Sequence, residues 1–233
     1  MLLLRAMCAL IVSLMTVGTL AQTVQPVIVD YKVKGEGKFS LTNNTLLPMA
    51  VVLEPKSFSI TPDGNGVYRP LDPDIHLQLS TMSFRLEPKQ TYFVFYKVTA
   101  DKLPAWFTVY SIFSSVQHTS GLDVRILLPH TVYLYPKLPM AKDAVRVKSA
   151  MYVAQSGKII VDIENTSADL GRVQEVRVTS GHEVAVAAGF PILPGGLRHV
   201  EVRWDEKKEP PQMLLLRFEH FTLTQPLSIS EEQ

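Results

Sequence analysis

Apolar and polar residues alternate with a period of two in Lys38–Phe39–Ser40–Leu41–Thr42, in Ile75–His76–Leu77–Gln78–Leu79 and again through 173–178. Successive side chains of a strand point to opposite faces. Each stretch therefore predicts a strand with one face on a core and one toward water. A more apolar run, Leu122–Asp123–Val124–Arg125–Ile126–Leu127–Leu128, continues to Tyr135 and predicts a long strand. Pro129 removes one ladder donor from it and is expected to bulge or interrupt it. No long amphipathic helix is visible. Turn signals separate the strands, among them Gly35–Glu36–Gly37, Asn43–Asn44, Pro62–Asp63–Gly64–Asn65–Gly66, His118–Thr119–Ser120–Gly121, Ser180–Gly181 and Pro194–Gly195–Gly196. Short strands with regular turns predict an all-β chain built as sandwiches.

The pattern stops at Pro136–Lys137–Leu138–Pro139 and then restarts. Phe39–Ser40–Leu41–Thr42–Asn43–Asn44–Thr45 is echoed by Val161–Asp162–Ile163–Glu164–Asn165–Thr166–Ser167. Phe84–Arg85–Leu86–Glu87–Pro88–Lys89 is echoed by Phe190–Pro191–Ile192–Leu193–Pro194–Gly195. Two sandwiches of similar plan are expected, over 22–136 and 142–227, with 137–141 as linker and 228–233 as a frayed polar tail.

The first 21 residues read as an export signal. Arg5 gives a positive start, 6–17 is apolar, and Thr19 and Ala21 supply the small residues of a cleavage site. The apolar run is shorter than the ~20 residues that span a bilayer. The only cysteine, Cys8, lies in that segment, so the exported chain would hold no disulfide framework and no thiol chemistry. With 46% hydrophobic and 19% charged residues the composition is globular rather than disordered. A net charge of +1 offers no field for nucleic acid or anionic lipid.

Catalytic and metal-binding patterns are missing. No histidine pair has metal-ligand spacing, and His182–Glu183 lacks the second histidine of a zinc-protease helix, Val186 standing in its place. Asp63–Gly64–Asn65–Gly66 starts like a calcium loop but lacks the distal ligands, so it reads as a turn. There is no Gly-x-Ser-x-Gly elbow and no phosphate-cradling loop. Asp72 and Asp74 flank Pro73 on a loop, and Trp106 and Trp204 read as packing residues. Nothing supports an enzyme, a cofactor or a metal site.

Several short motifs occur in an order that resembles a known family. Arg85–Leu86–Glu87–Pro88, the strand 92–98, Asp101–Lys102–Leu103–Pro104, the strand 107–113, Thr131–Val132–Tyr133–Leu134–Tyr135–Pro136 and Asp162–Ile163–Glu164–Asn165–Thr166 are similar to the periplasmic pilus (fimbrial) assembly chaperones. The resemblance implies two immunoglobulin-like β-sandwich domains in tandem, joined at an angle with an interdomain cleft. It implies a periplasmic, non-enzymatic protein that binds a pilus subunit and hands it to an outer-membrane usher. The subunit lacks a strand, and the chaperone lends one of its own. The lending residues would be Leu122, Val124, Ile126 and Leu128.

The chain departs from the family at one point. Members carry a basic pair in the cleft that holds the subunit's C-terminal carboxylate. The matching positions here are Val27 or Ile28 on the first strand and Val132 or Tyr133 on the late one. Lys32 and Arg125 are the nearby candidates. The alternative to strand lending is a secreted structural or adhesive module that displays loops such as 62–66 and 117–121.

Overall fold

The computed structural model describes residues 22–116 and 125–230. The first part of the chain forms β1 (Thr23–Gln25), β2 (Ile28–Lys32), β3 (Gly35–Thr42), β4 (Met49–Ile60), β5 (Gly66–Pro70), β6 (Ile75–Leu79), β7 (Ser83–Leu86), β8 (Thr91–Ala100), β9 (Ala105–Ser115) and β10 (Arg125–Tyr135). The second part forms β11 (Val145–Val153), β12 (Lys158–Asn165), β13 (Gly171–Ser180), β14 (Glu183–Ile192), β15 (Leu197–Arg203), β16 (Met213–Arg217), β17 (Thr222–Pro226) and β18 (Ser228–Ser230). Each part is a sandwich of two sheets. The first pairs β1-β3-β8-β6 against β2-β10-β9-β4-β5, with β7 added to β4. The second pairs β15-β12-β11-β18 against β14-β13-β16-β17. Among the described residues no helix is long and apolar enough to cross a membrane.

The alternation seen in the sequence fills two separate cores. Phe39, Leu41, Val94 and Val98 meet Phe107, Val109, Phe113, Val132 and Leu134 in the first. Ile159, Val161, Ile163, Val173, Val176, Val178, Leu214 and Leu216 make the second. Gly35–Glu36–Gly37 is not a turn but the start of β3. A Cβ on either glycine would overlap the Tyr31 ring or its hydroxyl, so these glycines admit a neighbouring side chain. The turn falls one step earlier, at Val33, whose φ is 70°. Nor is the tail frayed from Ser228. Ser228, Ile229 and Ser230 pair in parallel with Met151, Tyr152 and Val153.

The sequence echo is a repeated structural device. Asn43 and Asn165 are both wholly buried at a strand end. The Asn43 amide donates to the carbonyls of Leu47, Leu86 and Glu87 at 2.8, 3.2 and 3.3 Å. The Asn165 amide donates to those of Asp169, Ile192 and Leu193 at 2.6, 3.3 and 3.1 Å. Each Oδ1 accepts from the backbone N–H and the hydroxyl of the residue two further on, Thr45 or Ser167. The second half of the echo supplies the same corner twice. Lys89 and Gly195 both sit in the left-handed region, at φ 61° and 63°. Glycine adopts that conformation freely, whereas lysine pays roughly 1 kcal/mol for it.

A third apolar cluster joins the sandwiches. Phe58 and Tyr133 of the first meet Leu170 and Leu193 of the second, with Ile60, Trp106 and Tyr135 packed around them. Trp106 Nε1–H donates to the Phe58 carbonyl at 2.6 Å. The turn after β4 docks as well, His199 N–H donating to the Pro62 carbonyl at 2.8 Å.

Removing either asparagine amide leaves buried carbonyls without donors, at about 1–3 kcal/mol for each group. Asn43→Ala is expected to destabilise the first sandwich by about 3 kcal/mol, and Asn165→Ala the second by a similar amount. Urea unfolding followed by Trp106 and Trp204 fluorescence, with the other tryptophan replaced by phenylalanine, checks both.

Candidate interaction edge and interdomain cleft

β10 is paired differently along its two halves. On one side β9 runs antiparallel to it without a break, from Arg125 opposite Ser114 to Leu134 opposite Ala105. On the other side β2 runs parallel, but only from Thr131 opposite Ile28 to Tyr135 opposite Lys32. Before Thr131 the first segment has left for the other sheet, where Thr23, Val24 and Gln25 pair with β3. Among the described residues, no strand pairs with 126–129 on the side away from β9.

Backbone direction decides what that side offers. Thr131 N–H donates to the Val27 carbonyl at 2.7 Å, and the Tyr135 carbonyl accepts from Val33 N–H at 2.8 Å. Odd-numbered residues of β10 therefore turn their amide groups toward β2, and even-numbered ones toward β9. Leu127 thus presents an N–H and a carbonyl to the open side, and Pro129 a carbonyl alone. Here the expectation of a bulge fails. Pro129 stays in register with Tyr110, because its missing N–H would have faced the side that has no ladder.

The side chains follow the same parity. Ile126 and Leu128 are half-buried and pack on the first core. Leu127 points to the outer face and is 51% exposed. The structure thus brings Ile126 and Leu128 to one face of the open stretch, while Leu122 and Val124 lie outside the described residues. The apolar Leu127 was not singled out from the sequence. Its only signal was the unbroken run Ile126–Leu127–Leu128 where strict alternation would place a polar residue.

The cleft between the sandwiches contains a cavity of ≈ 200 Å³, lined by Asp30, Lys32, Tyr135, Met140, Arg172 and His220 among others. The outward positions of β2 facing it are Asp30 and Lys32, and Asp30 stands opposite Tyr133 of β10. The positions matched to the family's basic pair, Val27 or Ile28 and Val132 or Tyr133, carry no base, and the cleft's first-sandwich strands bring Asp30, Lys32 and Tyr133 to this place instead. The charge is balanced from the other side. Arg172 of β13 lies 3.6 Å from the Asp30 carboxylate and its guanidinium sits 5.8 Å from the Tyr133 ring centroid. Burial raises the Asp30 carboxyl above its usual range, and Arg172 opposes that rise. Burial also pushes the Tyr133 hydroxyl up to about 12. Lys32 lines this cavity, but Arg125 does not. Arg125 starts β10 and Tyr135 ends it, ten steps of about 3.3 Å apart. The two candidate cations are thus not brought together. Arg172 was invisible to sequence reasoning because it comes from the second sandwich.

Other sequence features are absorbed by structure. Gly64 in the turn after β4 has φ 90°, a conformation that favours glycine, and lies against the Arg198 guanidinium. Asp72 accepts from Arg69 Nε and Nη2 at 3.1 and 2.8 Å. Trp204 is buried in the second core. Among the described residues no three His, Cys, Asp or Glu side chains are grouped to hold a metal.

No family model matches the chain, and no curated protein matches its sequence. Solved structures do. The SafB chaperone of Salmonella enterica, in complex with SafA pilin, is 14% identical and superposes with a TM-score of 0.54 over 89% of this chain and 96% of that one. The E. coli chaperone DraB is 12% identical, with a TM-score of 0.52 over 89% and 97%. The YadV chaperone is 10% identical, with a TM-score of 0.52 over 88% and 99%. The chain has the two-domain β-sandwich fold of the pilus chaperones over most of its length.

Arg172→Ala is expected to lower stability by about 1 kcal/mol, the upper range for a pair this exposed. Adding Asp30→Asn should recover part of the loss, because the amide needs no cation beside it. Thermal unfolding of the single and double variants checks the coupling.

Proposed function

We propose that this protein is an exported, non-enzymatic chaperone for pilus subunits, and that it holds a subunit by lending it the open side of β10. One observation carries the reading: among the described residues, the long strand has β9 on one side only over 126–129, and half-covered Ile126 and Leu128 line the same stretch. An exposed strand edge is normally a liability. Here it fits a partner whose own sheet lacks a strand. Leu127 would supply main-chain hydrogen bonds of about 0.5–1.5 kcal/mol each. Completing the burial of Ile126 and Leu128 would add about 1 kcal/mol apiece, roughly half the value of a fully buried aliphatic side chain. SafB, whose fold this chain shares, was solved in complex with the SafA pilin, which supports a subunit as the partner class. The reading places the protein in the periplasm after loss of 1–21 and gives it an usher as a second partner. It requires no cofactor.

The loop-displaying alternative rests on turns such as 62–66, which is exposed but tied to the second sandwich where His199 N–H donates to the Pro62 carbonyl; residues 117–121 lie outside the described residues.

Two substitutions test strand lending when the chain is co-expressed with a pilus subunit that co-purifies with the unaltered protein. Leu127→Pro removes the open-side N–H yet leaves the β9 ladder intact, as Pro129 already does. Ile126→Asp puts a charge into the lent face. Each should lower the co-purified subunit by about tenfold, equivalent to 1.4 kcal/mol, while circular dichroism shows a folded chain. Unchanged subunit recovery with a folded Leu127→Pro variant would reject the role.

A further inference from the structure

The second sandwich has an open edge of its own. β14 is the outermost strand of its sheet, with β13 on one side and, among the described residues, no strand on the other. Its run Val184–Ala185–Val186–Ala187–Ala188 contains no charge and no proline. Sheet edges are normally blunted by such residues, because bare N–H and carbonyl groups invite another strand.

The hydrogen-bond parity of β14 follows from both sides of β13. Gln212 N–H donates to the Thr179 carbonyl at 2.9 Å, so Thr179 faces β16. Val178 and Ser180 then face β14, where they stand opposite Ala185 and Glu183. The two-residue turn Gly181–His182, with Gly181 at φ 53°, closes the Ser180–Glu183 pair in the same sense. Val184, Val186 and Ala188 therefore turn their N–H and carbonyl groups to the open side.

The side chains of this run suit a close neighbour. Val184 and Val186 are 46% and 58% exposed on the outer face. Ala185 and Ala187 lie against the second core. The charges around the run are already matched. Lys208 pairs with Glu183 at its start. Arg177, opposite Val186 on β13, lies 2.9 Å from the Glu175 carboxylate. The run ends where the Arg198 guanidinium sits 5.0 Å from the centroid of the buried Phe190 ring.

We propose that β14 is a self-pairing edge: two copies of this chain join antiparallel through it, about a two-fold axis at Val186. The register follows from the parity. Val186 faces Val186 of the second copy, and Val184 faces Ala188 in both directions. Each of these three pairs exchanges two main-chain hydrogen bonds, so the open groups of the run are all satisfied. On the outer face four valines and two alanines form one apolar row. On the inner face Ala185 lies opposite Ala187, and the two second cores become neighbours. Glu183 comes opposite Gly189, so no like charges meet. A foreign strand would have to bring a bare, uncharged run of its own, whereas a second copy supplies one by symmetry. The joint is small and belongs to the weak, concentration-dependent class. It leaves β10 free and stands whether or not that strand is lent to a subunit.

Sedimentation of the purified chain over a concentration series tests it. The unaltered chain should pass from monomer to dimer. Val186→Lys, at an exposed position, should weaken the association at least about tenfold, because two ammonium groups meet at the axis. Val186→Glu should do the same alone, and an equimolar mixture of the two variants should associate again. Leu127→Pro, which alters the edge of β10, should leave the dimer unchanged. In a chain that has lost 1–21, and with it Cys8, Val186→Cys should give a disulfide-linked dimer on oxidation. Its paired Cα atoms would lie about 5.5 Å apart. Val184→Cys should give none, since Val184 does not face itself. A chain monomeric at every concentration with no disulfide from Val186→Cys, a dimer that survives Val186→Lys, or one lost in Leu127→Pro instead overturns the proposal.

Discussion

Every backbone N–H and carbonyl in a sheet needs a partner, and β10 meets that demand on one side by β9 and on the other by two different means. From Thr131 onward β2 supplies the partners. Over 126–129 no described strand does. The division depends on where the first segment leaves the sheet, and two prolines and a histidine define that place. Pro26 ends the run that pairs with β3, Pro129 has no N–H to hold a neighbour, and His130 ties the crossing from beneath. A strand with an ordinary residue at 129 could pair with a longer first segment, and the sheet edge would then be closed by its own chain.

The second sandwich matters to this edge through the face it covers. The outward side of the β10 sheet is occupied near its C-terminal end, where Phe58, Trp106 and Tyr133 meet Leu170 and Leu193. Farther back along β10 the outward residue is Leu127, which is exposed. The docked turn after β4 and the Asp30–Arg172 pair hold the two sandwiches on this same side. Fold position and charge placement are thus one arrangement: the ion pair that lines the cleft also bridges the bodies that form it.

Much of this was written in local patterns. The echo around Asn43 and Asn165 was visible because both domains need the same group to feed the same three carbonyls, and only asparagine offers two donors and an acceptor on so short a stem. The break at Pro136 and the strand periods were visible for similar local reasons. What stayed hidden was relational. Gly35 and Gly37 read as a turn because glycine usually marks one, and only the Tyr31 ring explains them in a strand. Pro129 read as an interruption because its consequence depends on which neighbour its nitrogen faces, a parity no single strand records. Arg172 could not be found, since its partner Asp30 lies in the other sandwich. The same holds for Ser228–Ser230, whose polar composition suggests a loose end although the backbone pairs with β11.

The cleft also bears on how a subunit would be placed. In a site with a basic pair, charge would fix one end of the incoming chain. Here the cation facing Asp30 is already opposed by that carboxylate and lies against the Tyr133 ring. A carboxylate entering the cavity would have to compete with Asp30, whose own ionisation is disfavoured by burial. Hydrogen bonds along a strand repeat every two residues and do not by themselves choose a register. The boundary at Pro129 is different, because a ladder reaching it finds no donor and the first segment turns away just beyond. In strand lending of the kind proposed, placement would therefore come from where the open side stops, and the cleft would serve mainly to hold the two sandwiches together.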